Sequence, residues 1–251
     1  MTAFSANLGF LWADRPLPDA IRAAKAAGFD AVECHWPYET PAREVKAALD
    51  ATGLRMLGLN TVRGKAGENG LAALAGREDE ARAAINQAID YADAINAVAI
   101  HVMAGFAEGA EARETFEANL RYATSHTGRT ILIEPLNRHD APGYFLQTTD
   151  QACDIIETIG APNLRLMFDC YHVGRTEGDV MTRLGRLLPL IGHIQFASVP
   201  ERGAPDRGEL NYAEIFSHIA TLGWQMPLGA EFKPRDVEDI SRWLASFRFM
   251  D

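Results

Sequence analysis

The stretch Ile131-Leu132-Ile133-Glu134 is an apolar run that ends in a residue able to bind a hard metal ion. Three later runs share this form: 164–169 ends in Asp169, 191–195 ends in Gln195, and 228–231 ends in Glu231. Successive end residues are separated by roughly 26 to 36 positions, about one strand-plus-helix unit. If the runs are neighbouring parallel strands, the four side chains meet at one edge of a sheet. The spacing therefore predicts an α/β fold with an oxygen-rich site.

The rest of the chain repeats this alternation of a short apolar run and a helical pattern. Eight runs qualify, near 3–8, 30–34, 54–59, 97–102, 130–134, 164–168, 191–196 and 227–231. Most lack polar alternation, as expected of parallel strands that are covered on both faces. Four of the helical patterns end in a glycine suited to a helix C-terminus, namely Gly28, Gly53, Gly160 and Gly223. Eight such units predict one domain over 1–251, a (β/α)8 TIM barrel rather than an open doubly wound sheet.

The composition is typical of a globular protein, with 47% hydrophobic and 23% charged residues. A net charge of −10 argues against a nucleic-acid partner, which usually requires a basic patch. The chain starts without a signal-peptide pattern, and no apolar stretch approaches the roughly 20 residues of a membrane span. Cys34, Cys153 and Cys170 lack CxxC spacing, which fits reduced thiols. We therefore expect a cytoplasmic protein with no membrane partner.

The residues that end the four runs offer carboxylate and amide oxygens. Such a set suits Mg²⁺ or Mn²⁺, whereas a structural zinc site prefers thiolates or several imidazoles. A divalent ion could hold a carbonyl and an adjacent hydroxyl of a substrate, while Glu134 and Glu231 move a proton between two carbons. Taken singly, each acid could equally cap a helix or face solvent. Since the chain has no GxGxxG or Walker pattern, no nucleotide cofactor is expected.

Four ordered motifs surround the candidate ligands: Ile133-Glu134-Pro135-Leu136-Asn137, Phe168-Asp169-Cys170-Tyr171-His172, Gly192-His193-Ile194-Gln195 and Gly229-Ala230-Glu231-Phe232-Lys233-Pro234. Together they resemble the hydroxypyruvate isomerase family, which belongs to the xylose-isomerase-like TIM barrels. Shorter segments near the start, after the second run and near 208–212 agree as well, so the resemblance spans nearly the whole chain.

The resemblance implies roles for individual residues. Glu134 and Glu231 would be the acid/base pair and also metal ligands, and Asp169 and Gln195 would complete the metal shell. His172 would lie over the substrate oxygens as a hydrogen-bond donor. The implied reaction converts hydroxypyruvate to tartronate semialdehyde through an enediolate, without a redox cofactor.

Alternatives for the function concern mainly the substrate. The sequence departs from the family after Gln195 and at Cys34-His35, both on loops at the predicted mouth of the barrel. A 2-oxo-tetronate isomerase or a ketose 3-epimerase would use the same two-glutamate site. A metal-dependent endonuclease or phosphodiesterase and a non-catalytic sugar-acid-binding barrel are the more distant alternatives.

Further residues are predicted to contact a small sugar-acid substrate from strand ends and mouth loops: His101, Asn7, Asn60, Arg202 and Lys233. A substrate carboxylate needs at least one charge-assisted donor, which Arg202 or Lys233 would supply. His193 shares a strand face with Gln195, and either a site role or a hydrogen-bonded place in the barrel interior fits it. The glycine-rich stretch 60–76 is predicted to be a lid or binding loop. A homo-oligomer, a dimer or a tetramer, is a further expectation.

Overall fold

All neighbouring strands of the sheet run parallel, as the covered apolar runs predict. A computed structural model describes residues 2–248, and its strands follow the order β3-β2-β1-β9-β8-β7-β6-β5-β4. The strands are β1 (Phe4–Asn7), β2 (Ala31–Glu33), β3 (Arg55–Met56), β4 (Gly58–Asn60), β5 (Ala99–His101), β6 (Thr130–Ile133), β7 (Leu164–Asp169), β8 (Ile191–Phe196) and β9 (Leu228–Ala230).

The helices cover this sheet from outside. They are α1 (Leu17–Ala27), α2 (Ala42–Thr52), α3 (Glu78–Ile95), α4 (Gly109–His126), α5 (Thr149–Ile159), α6 (Cys170–Thr176), α7 (Val180–Leu187), α8 (Tyr212–Thr221) and α9 (Val237–Arg248). Within residues 2–248, every helix is either too short or too polar to cross a lipid bilayer. The three cysteines are buried free thiols.

The barrel closes because β3 and β4 are two pieces of one strand. Only Leu57 separates them, and its backbone N–H donates to the Val32 carbonyl at 2.7 Å. The Cys34 N–H donates to the Gly58 carbonyl at 3.1 Å, so hydrogen bonds pass from β2 to the β4 side without a gap. The nine strand segments thus fill eight positions, and the predicted (β/α)8 barrel is confirmed, with the third strand broken at Leu57.

Glycines end the helices much as the sequence predicts. Gly28, Gly53 and Gly160 cap α1, α2 and α5 in the left-handed conformation, with φ of 95°, 68° and 65°. Helix α8 differs, because Leu222 is its C-terminal cap and Gly223, with φ of 81°, follows one residue later. The difference is a single residue at a helix end and leaves the next strand in place.

An aromatic cluster packs the first and last units of the barrel together. The Trp243 ring of α9 meets the Phe4 ring of β1 edge to face, with centroids 5.0 Å apart, and the Phe196 ring of β8 at 5.4 Å. Phe216 of α8 contacts both phenylalanines. Because edge-to-face pairs add to the burial of large rings, the cluster joins the two ends of the chain firmly.

The carboxyl ends of the strands gather the polar residues predicted for the site. Asn7, Asn60, His101 and Asp169 are each the last residue of a strand. Glu134 and Glu231 directly follow β6 and β9, and Gln195 is the penultimate residue of β8. Active sites of TIM barrels lie on this face, so the topology turns residues distant in sequence into neighbours.

Candidate active site

The four predicted ligands are all buried in the protein interior. Glu134, Asp169, Gln195 and Glu231 are each no more than 6% exposed. Ionised groups removed from water need partners, since an uncompensated buried charge is strongly unfavourable. Their surroundings therefore indicate what they are arranged to hold.

Three of these residues point oxygen atoms that lack protein partners into the interior. Among the described residues, the buried atoms without a hydrogen-bond partner include Glu134 Oε1, Asp169 Oδ2 and Gln195 Oε1. Buried polar atoms are nearly always satisfied in folded proteins, so a cluster of unsatisfied acceptors calls for a cation or for donors from a ligand. Since all three atoms are oxygens, they fit a hard divalent ion.

Crowding of the carboxylates gives the same indication. Burial, followed by the negative charges of Glu231 and Asp169, raises the pKa of Glu134 well above its usual value. Burial and the charge of Glu231 likewise raise the pKa of Asp169 to about 7. A bound divalent cation would supply the missing positive charge and favour both ionised forms. The residues present therefore fit Mg²⁺ or Mn²⁺.

Glu231 differs from Glu134 because both of its oxygens already have partners. Its Oε1 accepts from Arg202 Nη2 at 2.6 Å, and its Oε2 accepts from Asn7 Nδ2 at 2.9 Å. His35 Nε2 lies 3.6 Å from Oε1. The protein therefore holds the Glu231 side chain at both of its oxygens. The two glutamates thus occupy contrasting environments on the same cavity.

His172 is oriented as a hydrogen-bond donor. Its Nδ1 accepts from the Asn137 backbone N–H at 2.9 Å, so in the neutral ring the proton must lie on Nε2. Burial, then the nearby Arg202 charge, lowers the pKa of His172 well below its usual value, which favours the neutral ring. The Nε2 atom lies 3.8 Å from Glu134 Oε1 and 3.6 Å from Asp169 Oδ2.

This tautomer decides between two roles for His172. The ligand atoms of Glu134, Asp169 and His172 lie within 4.8 Å of one another and could by distance alone hold a metal. Coordination through Nε2 would require the proton on Nδ1, which would then oppose the Asn137 N–H. The hydrogen bond to Nδ1 therefore favours His172 as a hydrogen-bond donor over His172 as a metal ligand.

The loop after β8 delivers Arg202 to the site. Arg202 has a left-handed backbone with φ of 55°, and its N–H donates to the Ser198 carbonyl at 2.9 Å. The guanidinium lies between the Phe10 and Tyr171 rings, at 4.6 and 5.0 Å from their centroids. Burial opposes the charge of Arg202, but Glu231 and Asp169 outweigh it and raise the pKa of the guanidinium. Arg202, whose side chain is 12% exposed, is thus a permanent cation at the site.

A cavity of about 330 Å³ opens above these groups. It is lined by residues from the mouth loops and strand ends, including Trp36, Asn60, Arg63, His101, Glu134, His172, Arg202 and Glu231. Of the predicted substrate contacts, His101, Asn60 and Arg202 therefore face the cavity. Lys233 is exposed and outside its lining, and its backbone N–H donates to the Arg202 carbonyl at 2.7 Å.

Two of the other predicted residues have distinct surroundings. His101 Nδ1 lies 3.6 Å from Glu134 Oε2, and burial lowers the pKa of His101 to about 3, so its ring is neutral. Asn7 lies deeper, with its amide donating to Glu33 and Glu231. The amide nitrogen of Asn7 is therefore occupied by protein carboxylates.

One important residue, Glu33, is absent from the sequence prediction. It ends β2, is buried, and accepts hydrogen bonds from Asn7, His193 and Gln195. Its position repeats the form of the other four, because Ala31-Val32-Glu33 is also a short run ending in an acid. That signal was available, but its contact with His193, 160 positions away, follows only from barrel closure.

Comparisons with known proteins agree with this architecture. Residues 21–251 match the family model for xylose isomerase-like TIM barrels, and the chain belongs to this family. The 2-oxo-tetronate isomerase of Cupriavidus necator is 46% identical over 244 residues, which cover 94% of each chain. The hydroxypyruvate isomerase of Escherichia coli is 34% identical over 258 residues, covering 99% of this chain and all of the relative. The resemblance read from the motifs is thereby confirmed.

A solved structure extends the comparison to three dimensions. A protein from Brucella melitensis, described as an AP endonuclease of family 2, has a TM-score of 0.94 and 35% identity. The alignment covers 98% of this chain and 99% of that one. The barrel and its loops are therefore shared along the whole length.

Proposed function

We propose that this chain is a divalent-metal-dependent isomerase that interconverts hydroxypyruvate and tartronate semialdehyde (2-hydroxy-3-oxopropanoate) by proton transfer through an enediolate. The observation that carries the proposal is the pair Glu134 and Glu231, two buried carboxylates that line the same cavity. The relatives from Cupriavidus necator and Escherichia coli are both named isomerases of small oxo acids, which supports the same class of chemistry.

The reaction needs a proton removed from one carbon and returned to the next. One carboxylate takes a proton from C3 of hydroxypyruvate, and the C–H electron pair forms the C2–C3 double bond and leaves negative charge on O2, which gives the enediolate. The hydroxyl proton of O3 then passes to O2, the other glutamate, in its protonated form, gives its proton to C2, and O3 becomes the aldehyde oxygen. Exchange of protons with solvent returns the two glutamates to their starting forms. No hydride leaves the substrate, so the proposed reaction requires no redox cofactor. General acid–base catalysis of this kind typically contributes about 10²- to 10⁴-fold.

The remaining groups stabilise the charge that develops. A divalent ion held by Glu134, Asp169, Gln195 and Glu231 would polarise the carbonyl and the adjacent hydroxyl. The Nε2–H of His172 donates to a substrate oxygen as negative charge accumulates there. Arg202 holds Glu231 Oε1 through its 2.6 Å contact and offers positive charge to the cavity for the substrate carboxylate.

Proton NMR of product formation tests this proposal. Metal-free protein is prepared with a chelator, and hydroxypyruvate is then added with Mg²⁺, Mn²⁺ or neither, alongside samples without protein. We expect tartronate semialdehyde only when protein and a divalent ion are both present. Absence of turnover with every divalent ion tested would refute hydroxypyruvate as the substrate.

A four-carbon substrate is the second candidate. The Cupriavidus necator relative at 46% identity is named a 2-oxo-tetronate isomerase, and a 330 Å³ cavity leaves room for an additional hydroxymethyl group. The proton transfer would be the same, so only the substrate distinguishes the two. Comparing kcat/KM for hydroxypyruvate, 2-oxo-tetronate and a small ketose under one metal condition decides between them. The cytoplasmic location and the homo-oligomer stay predictions.

A further inference from the structure

Glu33 connects three strands beneath the candidate metal site. Its Oε1 accepts from Gln195 Nε2 at 2.7 Å and from Asn7 Nδ2 at 3.0 Å, and its Oε2 meets His193 Nε2 at 2.6 Å. Glu33 is 3% exposed, so these contacts replace its hydration. An amide nitrogen can only donate, so Glu33 Oε1 is the acceptor in its contacts with both Gln195 and Asn7.

The Glu33 carboxylate fixes the orientation of the Gln195 side-chain amide. Because only the amide nitrogen can donate to Glu33, the amide oxygen has to point the other way. That oxygen, Gln195 Oε1, is one of the buried atoms without a protein partner. The hydrogen bond to Glu33 thus leaves the amide oxygen of Gln195, and not its nitrogen, available as a ligand.

The same carboxylate also fixes Asn7, and through it Glu231. Asn7 Nδ2 is shared between Glu33 Oε1 and Glu231 Oε2, at 3.0 and 2.9 Å. The opposite end of the amide, Asn7 Oδ1, accepts from the Gly9 N–H at 2.9 Å. With both ends committed, Asn7 holds one oxygen of Glu231 in place.

The backbone beside Glu33 leaves space for this arrangement. A Cβ atom on Gly229 of β9 would lie 2.7 and 2.8 Å from the two Glu33 oxygens and 2.8 Å from Gln195 Cγ. Gly229 does not have a left-handed φ, so the small residue is needed for space and not for backbone freedom. The Glu33 carboxylate therefore occupies space that is open only because residue 229 has no side chain.

We propose that Glu33 is a positioning residue that orients Gln195 and Glu231 as oxygen ligands of the metal site, with Gly229 providing the space for it. The inference rests on the metal dependence in the proposed function. Residues that orient metal ligands typically change metal affinity by about 10- to 100-fold when they are replaced.

Mn²⁺ affinity of the Glu33→Gln protein, measured by titration calorimetry, is the first test. Glutamine keeps the shape of Glu33, but one of its two terminal groups is an N–H₂ donor. If that group faces the amide nitrogen of Gln195 or Asn7, two donors oppose each other, and one of the amides has to rotate. We expect the Kd for Mn²⁺ to rise about 10- to 100-fold while near-UV circular dichroism stays that of the wild type. A Kd unchanged from wild type in a folded variant would overturn the proposal.

Gly229→Ala tests the same unit without altering any polar group. Its methyl would displace Glu33 and Gln195, so we expect a comparable loss of Mn²⁺ affinity. Gly58→Ala is the matched control, because it also adds a methyl to a barrel strand but meets only the Ala99 carbonyl, at 3.9 Å. Equal Mn²⁺ affinities for the two alanine variants would contradict the proposal, and this comparison remains decisive if Glu33→Gln fails to fold.

Exchanging the residue types at positions 33 and 195 separates the effect of Gln195 orientation on metal affinity from the effect of the site's total charge. In the double variant Glu33→Gln with Gln195→Glu, the amide of residue 33 donates to a carboxylate at 195, whose second oxygen is free for the metal. The total charge equals that of the wild type, and we expect the Mn²⁺ affinity to recover at least tenfold relative to Glu33→Gln alone. No recovery would show that Glu33 does not act by orienting Gln195.

The wild-type titration distinguishes failure of this inference from failure of the proposed function. If wild-type protein shows no Mn²⁺ binding, the metal site itself is refuted, and this inference with it. If wild type binds Mn²⁺ and the Glu33 and Gly229 variants bind equally well, only the positioning role is refuted.

Discussion

Replacing Asp169 by Asn should stabilise the metal-free protein while destroying its response to metal. Asp169 is 1% exposed, and burial with the charge of Glu231 raises its pKa from 3.8 to about 7. Asparagine can keep the contact that caps α6, where Asp169 Oδ1 accepts from the Tyr171 N–H at 2.8 Å. It removes the charge that the metal-free site leaves uncompensated.

The size and direction of the effect follow from the pKa. Between about pH 3.8 and 7 the unfolded chain has released a proton that folded Asp169 still binds, so stability of the metal-free protein falls as pH rises through this window. At 1.36 kcal/mol per unit, the full loss is on the order of 4 kcal/mol above pH 7. The Asp169→Asn protein avoids this loss of stability. It also loses the attraction between Asp169 Oδ2 and Arg202 Nη2, which lie 4.0 Å apart, so the loss of about 4 kcal/mol is an upper limit to the gain in stability.

Thermal unfolding with chelator and with Mn²⁺ measures the effect. With chelator at pH 8, we expect the Asp169→Asn protein to melt higher than wild type by up to about 8 to 16 °C, since 1 kcal/mol moves Tm by about 2–4 °C at this size. The difference should shrink toward pH 4. With saturating Mn²⁺ the order should reverse, because metal binding stabilises only the wild type.

Asp90→Asn, an exposed substitution on α3, serves as the matched control and should stay within about 0.5 kcal/mol of wild type. A variant at 169 that is less stable than wild type at pH 8 in chelator would refute the reasoning. So would a Tm difference that does not depend on pH.

Two further substitutions test single assignments around the cavity. His172→Gln should lower kcat/KM by about 10²- to 10³-fold while Mn²⁺ affinity stays that of the wild type, because Nε2 acts as a donor. A parallel loss of Mn²⁺ affinity would mean that His172 is a ligand. Lys233→Ala should keep kcat/KM within about a factor of two, since the side chain is exposed outside the cavity lining. A large rise in KM would instead restore the role expected for Lys233 from the sequence.

The order of strands and the edge that bears the site were predictable because both depend on local patterns. Apolar runs such as 130–134 and capping glycines such as Gly53 repeat along the chain, and parallel strands place their carboxyl ends together. The break at Leu57 was not predictable, because an uninterrupted apolar run does not show which neighbouring strand accepts the hydrogen bond of each backbone N–H.

Partners of buried polar groups could not be read from the sequence. Arg202 was expected to contact substrate, and the structure places its guanidinium against Glu231, 29 positions away. Asn7 was expected near substrate as well, and its amide is divided between Glu33 and Glu231. Pairings of this kind arise from barrel closure and leave no periodic signal in the chain.

Solvent-deuterium incorporation tests the central claim most directly, namely that Glu134 and Glu231 together move the proton. Hydroxypyruvate is incubated in D₂O with saturating Mn²⁺ and wild type, Glu134→Gln or Glu231→Gln, and bound metal is measured in the same samples. Glu209→Gln, an exposed change on the loop after β8, is the matched control. We expect wild type and the control to introduce deuterium at equal rates, and each site variant to be slower by about 10²- to 10⁴-fold. Wild-type rates in both site variants, with metal bound, would contradict the two-carboxylate mechanism.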